Sequence, residues 1–206
     1  MNRFMDSFDH YLNPEYKYPA FSNVTIDATS GRYGTAGANM NVDGVSYLQV
    51  NLDAQPEWSI GVAYNRNSIP DGGDLIGLYT DSSGSSRQVG LSVLPTGALS
   101  VTSSGSTVVT SLKTIAAGTW YYIEWNVLLG TPGTTTVYVN GNQWATASGT
   151  TQSSGSLASM VLLSGVGNPF LDDLYINDAT GGVNAGVWGD TRIEAVLPSS
   201  DGAYQQ

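Results

Sequence analysis

Cysteine is absent from the 206 residues and histidine occurs once, at His10. Without thiols there is no disulfide framework and no thiolate chemistry, so packing alone must hold the fold. The same scarcity excludes a zinc site built from histidine and cysteine. Charge is also sparse, at 12% of residues, with 7 basic against 17 acidic groups and a formal net charge of -10. Nucleic-acid binding through phosphate neutralisation needs clustered cations, whereas Arg3, Lys17, Arg32, Arg66, Arg87, Lys113 and Arg192 are scattered along the chain. Nucleic acid is therefore not an expected partner. No run approaches the roughly 20 apolar residues of a membrane span, and the opening MNRFMDSFDHY lacks the apolar region of a signal peptide. Membrane insertion is not expected either. Convincing helical periodicity is missing throughout, while 25 glycines with many serines and threonines suit short strands joined by turns.

What is present centres on Thr119 to Ala147, TWYYIEWNVLLGTPGTTTVYVNGNQWATA. Tyr121, Ile123, Trp125, Val127 and Leu129 alternate with Tyr122, Glu124, Asn126 and Leu128, the two-residue period of a strand with one face on a core. A turn over Gly130 to Gly133 leads to a second strand through Thr135, Val137 and Val139. Asn140-Gly141 then offers the two positive-φ positions of a tight hairpin into a third strand, Gln143 to Ala147. Further strands are predicted at Val24–Ala28, Tyr47–Leu52, Trp58–Tyr64, Asp74–Thr80, Gln88–Leu94, Ala98–Thr102, Thr107–Leu112, Ala158–Leu163, Phe170–Ile176 and Arg192–Val196. Turn chemistry separates them, as at Pro70-Asp71-Gly72-Gly73, Asp81 to Gly84, Pro95-Thr96-Gly97 and Ser103-Ser104-Gly105. Ser148 to Ser156 reads as a loop. The spacing is that of a sandwich rather than of βαβ units, no internal repeat stands out, and the length fits one all-β domain.

The N-terminal stretch reads differently. A first strand is expected around Ser7 to Tyr11, followed by Leu12 to Phe21 with Pro14, Pro19, Tyr16, Tyr18 and Phe21. That segment is too proline-bound for a central strand and too aromatic to be left to water. It must dock either across its own domain or on a neighbouring subunit. The expected organisation is a single domain overall, with residues 1–21 an N-terminal strand and aromatic arm and residues 22–206 the body.

The runs AAGTWYYIEWNV, TTTVYVNGNQ and NPFLDDLYINDATGG, in that order, resemble the concanavalin A-like lectin/glucanase superfamily, especially its laminin-G-like jelly rolls. The resemblance extends from about Asp6 to Val196 and implies an all-β, two-sheet antiparallel jelly-roll sandwich. More narrowly, DSFDHY, LDDLYINDATGGVNAGVWGD and TRIEAVLPSSDGAYQQ look like tailed-bacteriophage virion proteins built on that jelly roll. In many of those the chain runs on past the equivalent of Tyr204, so a short form or a cut piece is expected here. The jelly roll also implies that first and last strands lie together, with DSFDHY beside TRIEAV.

The resemblance raises glycoside hydrolysis, which needs paired carboxyls. The superfamily's glucanases carry them on one strand as E-x-D-x-x-E or a related pattern. This chain has four glutamates, Glu15, Glu57, Glu124 and Glu194, no two on one predicted strand. Glu124 paired with Asp172 or Asp173 across the sheet is weighed against an ordinary strand carboxylate on the less buried face, and the latter is preferred. His10 has no G-x-S-x-G partner and reads as a structural or surface histidine. No catalytic residue is nominated, and the chain is expected not to be an enzyme. Calcium enters because the resembled jelly rolls often bind it. Its candidates are Asp71 and Asp74, and Asp172, Asp173 and Asp178, each also readable as a hydrogen-bonded turn carboxylate, the reading preferred. No cofactor and no metal ligand are expected, with calcium the alternative.

Three roles follow. The resemblance implies a structural virion protein, a capsid decoration or a tail or fibre component, present in many copies or as a homo-oligomer and contacting other capsid or tail proteins, with glycans as a further partner. A lectin-like module is the alternative, its carbohydrate-binding residues left open among such rings as Trp58, Trp144, Trp188 and Tyr79, since aromatic rings stack on sugars, although for most of the tryptophans a place in the core is the preferred reading. A hydrolase comes last. Because a fold hosts many functions, the virion role rests on analogy.

Overall fold

Alternation of side chains is realised in fifteen strands among the described residues. They are β1 (Asn2–Asp6), β2 (Ala20–Ser22), β3 (Val24–Asp27), β4 (Gly37–Met40), β5 (Tyr47–Gln55), β6 (Glu57–Arg66), β7 (Gly73–Tyr79), β8 (Arg87–Val93), β9 (Ala98–Ser103), β10 (Ser106–Thr114), β11 (Tyr121–Leu128), β12 (Gly133–Val139), β13 (Asn142–Gly149), β14 (Ala158–Ser164) and β15 (Pro169–Asp178). The computed structural model describes residues 1–40, 45–68, 73–165, 167–182 and 185–194. Among these the one helical element is a 3-10 turn, Pro14–Tyr16, capped by Asn13. The candidate Asp71 and most of its turn lie outside the described residues.

The strands form two antiparallel sheets. The first runs β13-β12-β11-β6-β15-β4-β3, with β1 also on β15, and the second runs β10-β9-β8-β7-β14-β5-β2. Their facing sides make one core, in which Trp58, Ile60, Val62 and Tyr64 of β6 and Ile123, Trp125 and Val127 of β11 meet Ile76, Leu78, Val89, Leu91 and Val93 of the other layer. Two packed antiparallel sheets are the jelly-roll sandwich expected from the sequence. The central hairpin turns at Asn140 and Gly141 with φ of 50° and 72°, the two left-handed residues that such a turn requires.

The ends of the chain differ from expectation. The first strand is Asn2–Asp6, paired with Leu174 to Asn177 of β15, and Ser7 to Tyr11 turns away instead. The Asp6 carboxylate causes the turn. It accepts the Phe8 N–H at 2.9 Å and the Tyr18 hydroxyl at 2.8 Å, holds Lys17 at 3.0 Å, and takes the Tyr11 hydroxyl as well. Phe8 adopts φ 59° there and is buried with Tyr18 in the core of its own sandwich. The short β2, inside the proline-bound segment, pairs with β5 on the second sheet. At the other end, Arg192 to Glu194 form no strand; Ala195 and Val196 lie outside the described residues. Instead of pairing with DSFDHY, residues 185–194 form a strap across the outer face of the first sheet.

Candidate functional site

That outer face is built by small residues. On β6 the positions pointing away from the core include Gly61 and Ala63, with Glu124 and Tyr122 of β11 beside them in register on one side. On the other side Tyr175 pairs with Gly61, and Asp172 with Ala63. The Tyr175 ring lies over Gly61, so a Cβ there would come 2.1 Å from its Cε1. Crossing the glycine brings the Tyr175 hydroxyl to Glu124 Oε1 at 2.6 Å. A bulge between Asp172 and Tyr175 places Asp173 at φ 50° and turns its carboxylate onto the same face. Tyr122 stacks near Tyr175, ring centroids 6.5 Å apart, and donates its hydroxyl to the Asp173 carbonyl at 3.0 Å.

The strap closes over this cluster. Gly186 and Gly189 carry φ of 87° and 84°, bends that admit glycine without strain. Between them Trp188 stacks on Tyr175 at 4.4 Å. The Trp188 and Gly189 N–H groups both donate to Glu124 Oε1 at 2.8 Å. Asn177 holds the Gly186 carbonyl at 2.9 Å, and the Ile193 N–H reaches Asp173 Oδ1 at 2.6 Å. Arg32, from the loop between β3 and β4, pairs with Asp190 at 2.6 Å and approaches Asp173 at 3.9 Å. Its guanidinium lies 5.5 Å from the Tyr122 ring centre and 5.1 Å from that of Tyr33, while Arg192 lies 4.6 Å from Tyr33. Two cations and three tyrosines thus share one corner. Beyond it the face is polar, with Asn126 donating to Ser59 at 2.8 Å and Thr136 bonded to Thr146 at 3.0 Å.

Burial sets the protonation of the cluster. It drives the Tyr175 phenol far above its ordinary value, with the Glu124 hydrogen bond and charge adding to the rise. Tyr122 is raised likewise, by burial first and then by the Glu124 and Asp173 charges. Both phenols stay protonated and act as donors. Burial pushes Asp172 up to about 7 against the Arg32 N–H that its carboxylate accepts, and raises Asp173 in the same direction. Desolvation opposes the Arg32 charge, but Asp190 outweighs it and holds the guanidinium above its ordinary range.

The residues singled out in the sequence separate accordingly. Glu124, Asp172, Asp173 and Trp188 come together here. Glu124 is a fully buried hub and not a carboxylate of the less buried face, because the strap seals it from solvent. It does not pair with Asp172 or Asp173: Asp172 accepts the Arg32 N–H at 2.8 Å and the Asp173 N–H at 2.8 Å instead. Glu57 sits farther along the same face, Glu15 is exposed on the 3-10 turn, and Glu194 pairs with Arg192 at 2.7 Å. His10 is exposed beside Tyr11. Asp74 is held by Arg87 at 2.8 Å, and Asp178 by Arg3 and by Thr180 at 2.6 Å. Among the described residues no group of three potential metal ligands converges. Of the proposed sugar-stacking rings, Trp58 and Tyr79 are buried, and Trp144 and Trp188 are both half-buried, the first between Tyr121 and Lys113 and the second on Tyr175. Sequence reasoning missed Arg32, Tyr33, Tyr122 and Tyr175 as members of the site, since only the bulge and the returning strap bring them together. It also missed a second hollow at the seam of β10 and β13, about 380 Å³, lined by hydroxyls from Ser103, Ser106, Thr107, Ser148 and Thr150.

No family profile matches the chain, and no curated protein is similar to it in sequence. Solved structures are similar in fold. The endo-β-1,4-glucuronan lyase of the fungus Trichoderma reesei superposes with a TM-score of 0.61 at 13% identity, over 85% of this chain and 95% of that one. An alginate lyase variant in complex with alginate tetrasaccharide gives 0.58 at 10% identity, over 84% and 96%. Trypanosoma rangeli sialidase in complex with sialic acid gives 0.53 at 13% identity, over 77% of this chain and only 29% of the sialidase. The fold is therefore shared with these three proteins, each of which is named for action on or binding of a carbohydrate. This corrects the expectation that the chain is not an enzyme. That expectation rested on the missing glutamate pair, which is a requirement of glycoside hydrolysis, whereas two of these neighbours are named as lyases. None of these three is named as a phage protein.

Proposed function

We propose that this chain engages polysaccharide on the outer face of its first sheet. The observation that carries the reading is the corner where Tyr175, Tyr122 and Tyr33 meet Arg32, on a fold whose neighbours of similar length are a glucuronan lyase and an alginate lyase. Glycan sites combine aromatic platforms with a few placed polar groups, and this face supplies both. Asn126, Thr136 and Tyr138, each half-buried, extend it with hydrogen-bonding groups for sugar hydroxyls. Glucuronan, alginate and sialic acid all bear carboxylates, which matches a surface where a mostly acidic chain places two arginines.

The sequence resemblance to tailed-phage virion proteins supports a place on a phage particle, in many copies and in contact with capsid or tail proteins, where such a face meets host-surface polysaccharide. Chain recovered in fixed copy number from purified particles is the expected result for that placement.

The glycan reading is tested with immobilised glucuronan, alginate, sialylated glycans and neutral β-glucan, following retention of the chain and the ultraviolet absorbance of unsaturated sugar ends released by β-elimination. Retention on at least one polymer, lost in Tyr33→Ala combined with Arg32→Gln, is expected. Failure to bind any of them overturns the reading.

A further inference from the structure

The strap over the outer face presents, in one short run, an aromatic ring and a carboxylate. Trp188 lies on Tyr175 and Asp190 on Arg32, at 4.4 Å and 2.6 Å. A sugar acid offers the same two features, a flat apolar ring face and a carboxylate beside it. Resting on the glycan reading above, we propose that Tyr175 and Arg32 form a subsite for a carboxylate-bearing sugar and that Trp188 and Asp190 occupy it as an internal stand-in. The strap competes with the glycan for its own site.

Three observations carry this. First, the strap is held by groups a glycan can replace, since Glu124 Oε1 accepts only N–H donors from it and the Asn177 amide holds one carbonyl. Sugar hydroxyls donate and accept equally well. Second, the fit is incomplete: Trp188 Nε1 and Asp173 Oδ2 are buried without a hydrogen-bond partner. Buried polar atoms are almost always paired, so one unpaired group on the strap and one on β15 beneath it leave hydrogen bonds that this docking does not make. Third, the Asp190 side chain is 43% exposed whereas that of Arg32 is 11% exposed. The cation is built into the face, and the anion approaches from outside.

Removing the internal carboxylate should raise the competent fraction and tighten binding of acidic sugars alone. The test titrates the full chain and its Asp190→Asn variant with a uronate tetrasaccharide and with its carboxyl-reduced, neutral counterpart, by calorimetry. Equal unfolding midpoints establish that both are folded. The expected result is about two- to fivefold tighter uronate binding by Asp190→Asn, the range set by loss of one partly exposed ion pair, with the neutral sugar unaffected and Arg32→Gln losing the acidic preference. Unchanged uronate affinity in Asp190→Asn, or an equal gain for the neutral sugar, overturns the internal stand-in. If the wild-type chain still binds a polysaccharide in that case, the glycan reading survives. If neither chain binds any glycan, both fall.

Discussion

Tyr175 reaches across Gly61 to place its hydroxyl 2.6 Å from Glu124 Oε1, joining β15 to β11 over the intervening strand β6. The contact exists because β6 has no side chain at that point. Both partners are buried, and the strap docks on the pair they make.

Gly61→Ala tests that dependence. The new Cβ would lie 2.1 Å from the Tyr175 ring, so the ring must leave Glu124. A loss of about 1–3 kcal/mol is expected from overpacking, measured by denaturant unfolding, together with a change in Trp188 fluorescence as its stacking partner moves. An unchanged midpoint and spectrum would contradict the packing described.

Glu124→Ala removes the acceptor shared by the Tyr175 hydroxyl and the Trp188 and Gly189 N–H groups. Leaving buried donors unpaired costs about 1–3 kcal/mol. The sandwich should persist while the strap is released, so limited proteolysis should cut within residues 185–194 faster than in wild type. Equal cutting rates would show that other contacts hold the strap.

The Asp6 carboxylate ties the aromatic arm to the sandwich through Phe8, Tyr11, Lys17 and Tyr18. Asp6→Ala should cost about 3 kcal/mol, since it leaves a buried N–H and two phenols without their acceptor. The checking measurement is hydrogen exchange, with protection falling first around Phe8 and Tyr18.

Stability should depend on pH through Asp172. Its folded pKa is about 7, raised by burial. Between about pH 4, near the value for an unfolded aspartate, and about pH 7, the unfolded chain has released this proton while the folded chain keeps it. The folded state binds more protons, so this group makes stability fall as pH rises through that window. Asp172→Asn, compared with wild type by denaturant unfolding, should therefore gain relative stability from pH 4 to pH 7 and show no further relative change above it. A relative loss over the same window would contradict the raised value.

The sequence made the sandwich legible because its signals are local. Trp58, Ile60 and Val62, or Ile123, Trp125 and Val127, show their core face by alternation alone, and Asn140-Gly141 shows its hairpin by φ preference. The site was hidden because it is made by distance along the chain. Glu124 looked like a solvent-facing strand carboxylate, and only the return of Trp188 and Gly189, more than sixty residues later, buries it. Arg32 is one cation among seven in the sequence, distinguished only by lying beside Asp173 and Asp190. The missing E-x-D-x-x-E pattern spoke only to hydrolysis through paired glutamates, so the wider conclusion drawn from it did not follow. Ser7 to Tyr11 carried strand-like aromatics, but the turn made by Asp6 prevailed over that propensity.

The central claim is that the outer face of the first sheet is where glycan meets this chain. Its most direct test is an amide NMR titration of the full chain with a uronate tetrasaccharide. Shifts concentrated at Arg32, Glu124, Tyr175, Trp188 and Gly189 are the predicted result. Shifts confined to the hydroxyl-lined hollow between β10 and β13, or none at saturating sugar, would contradict it.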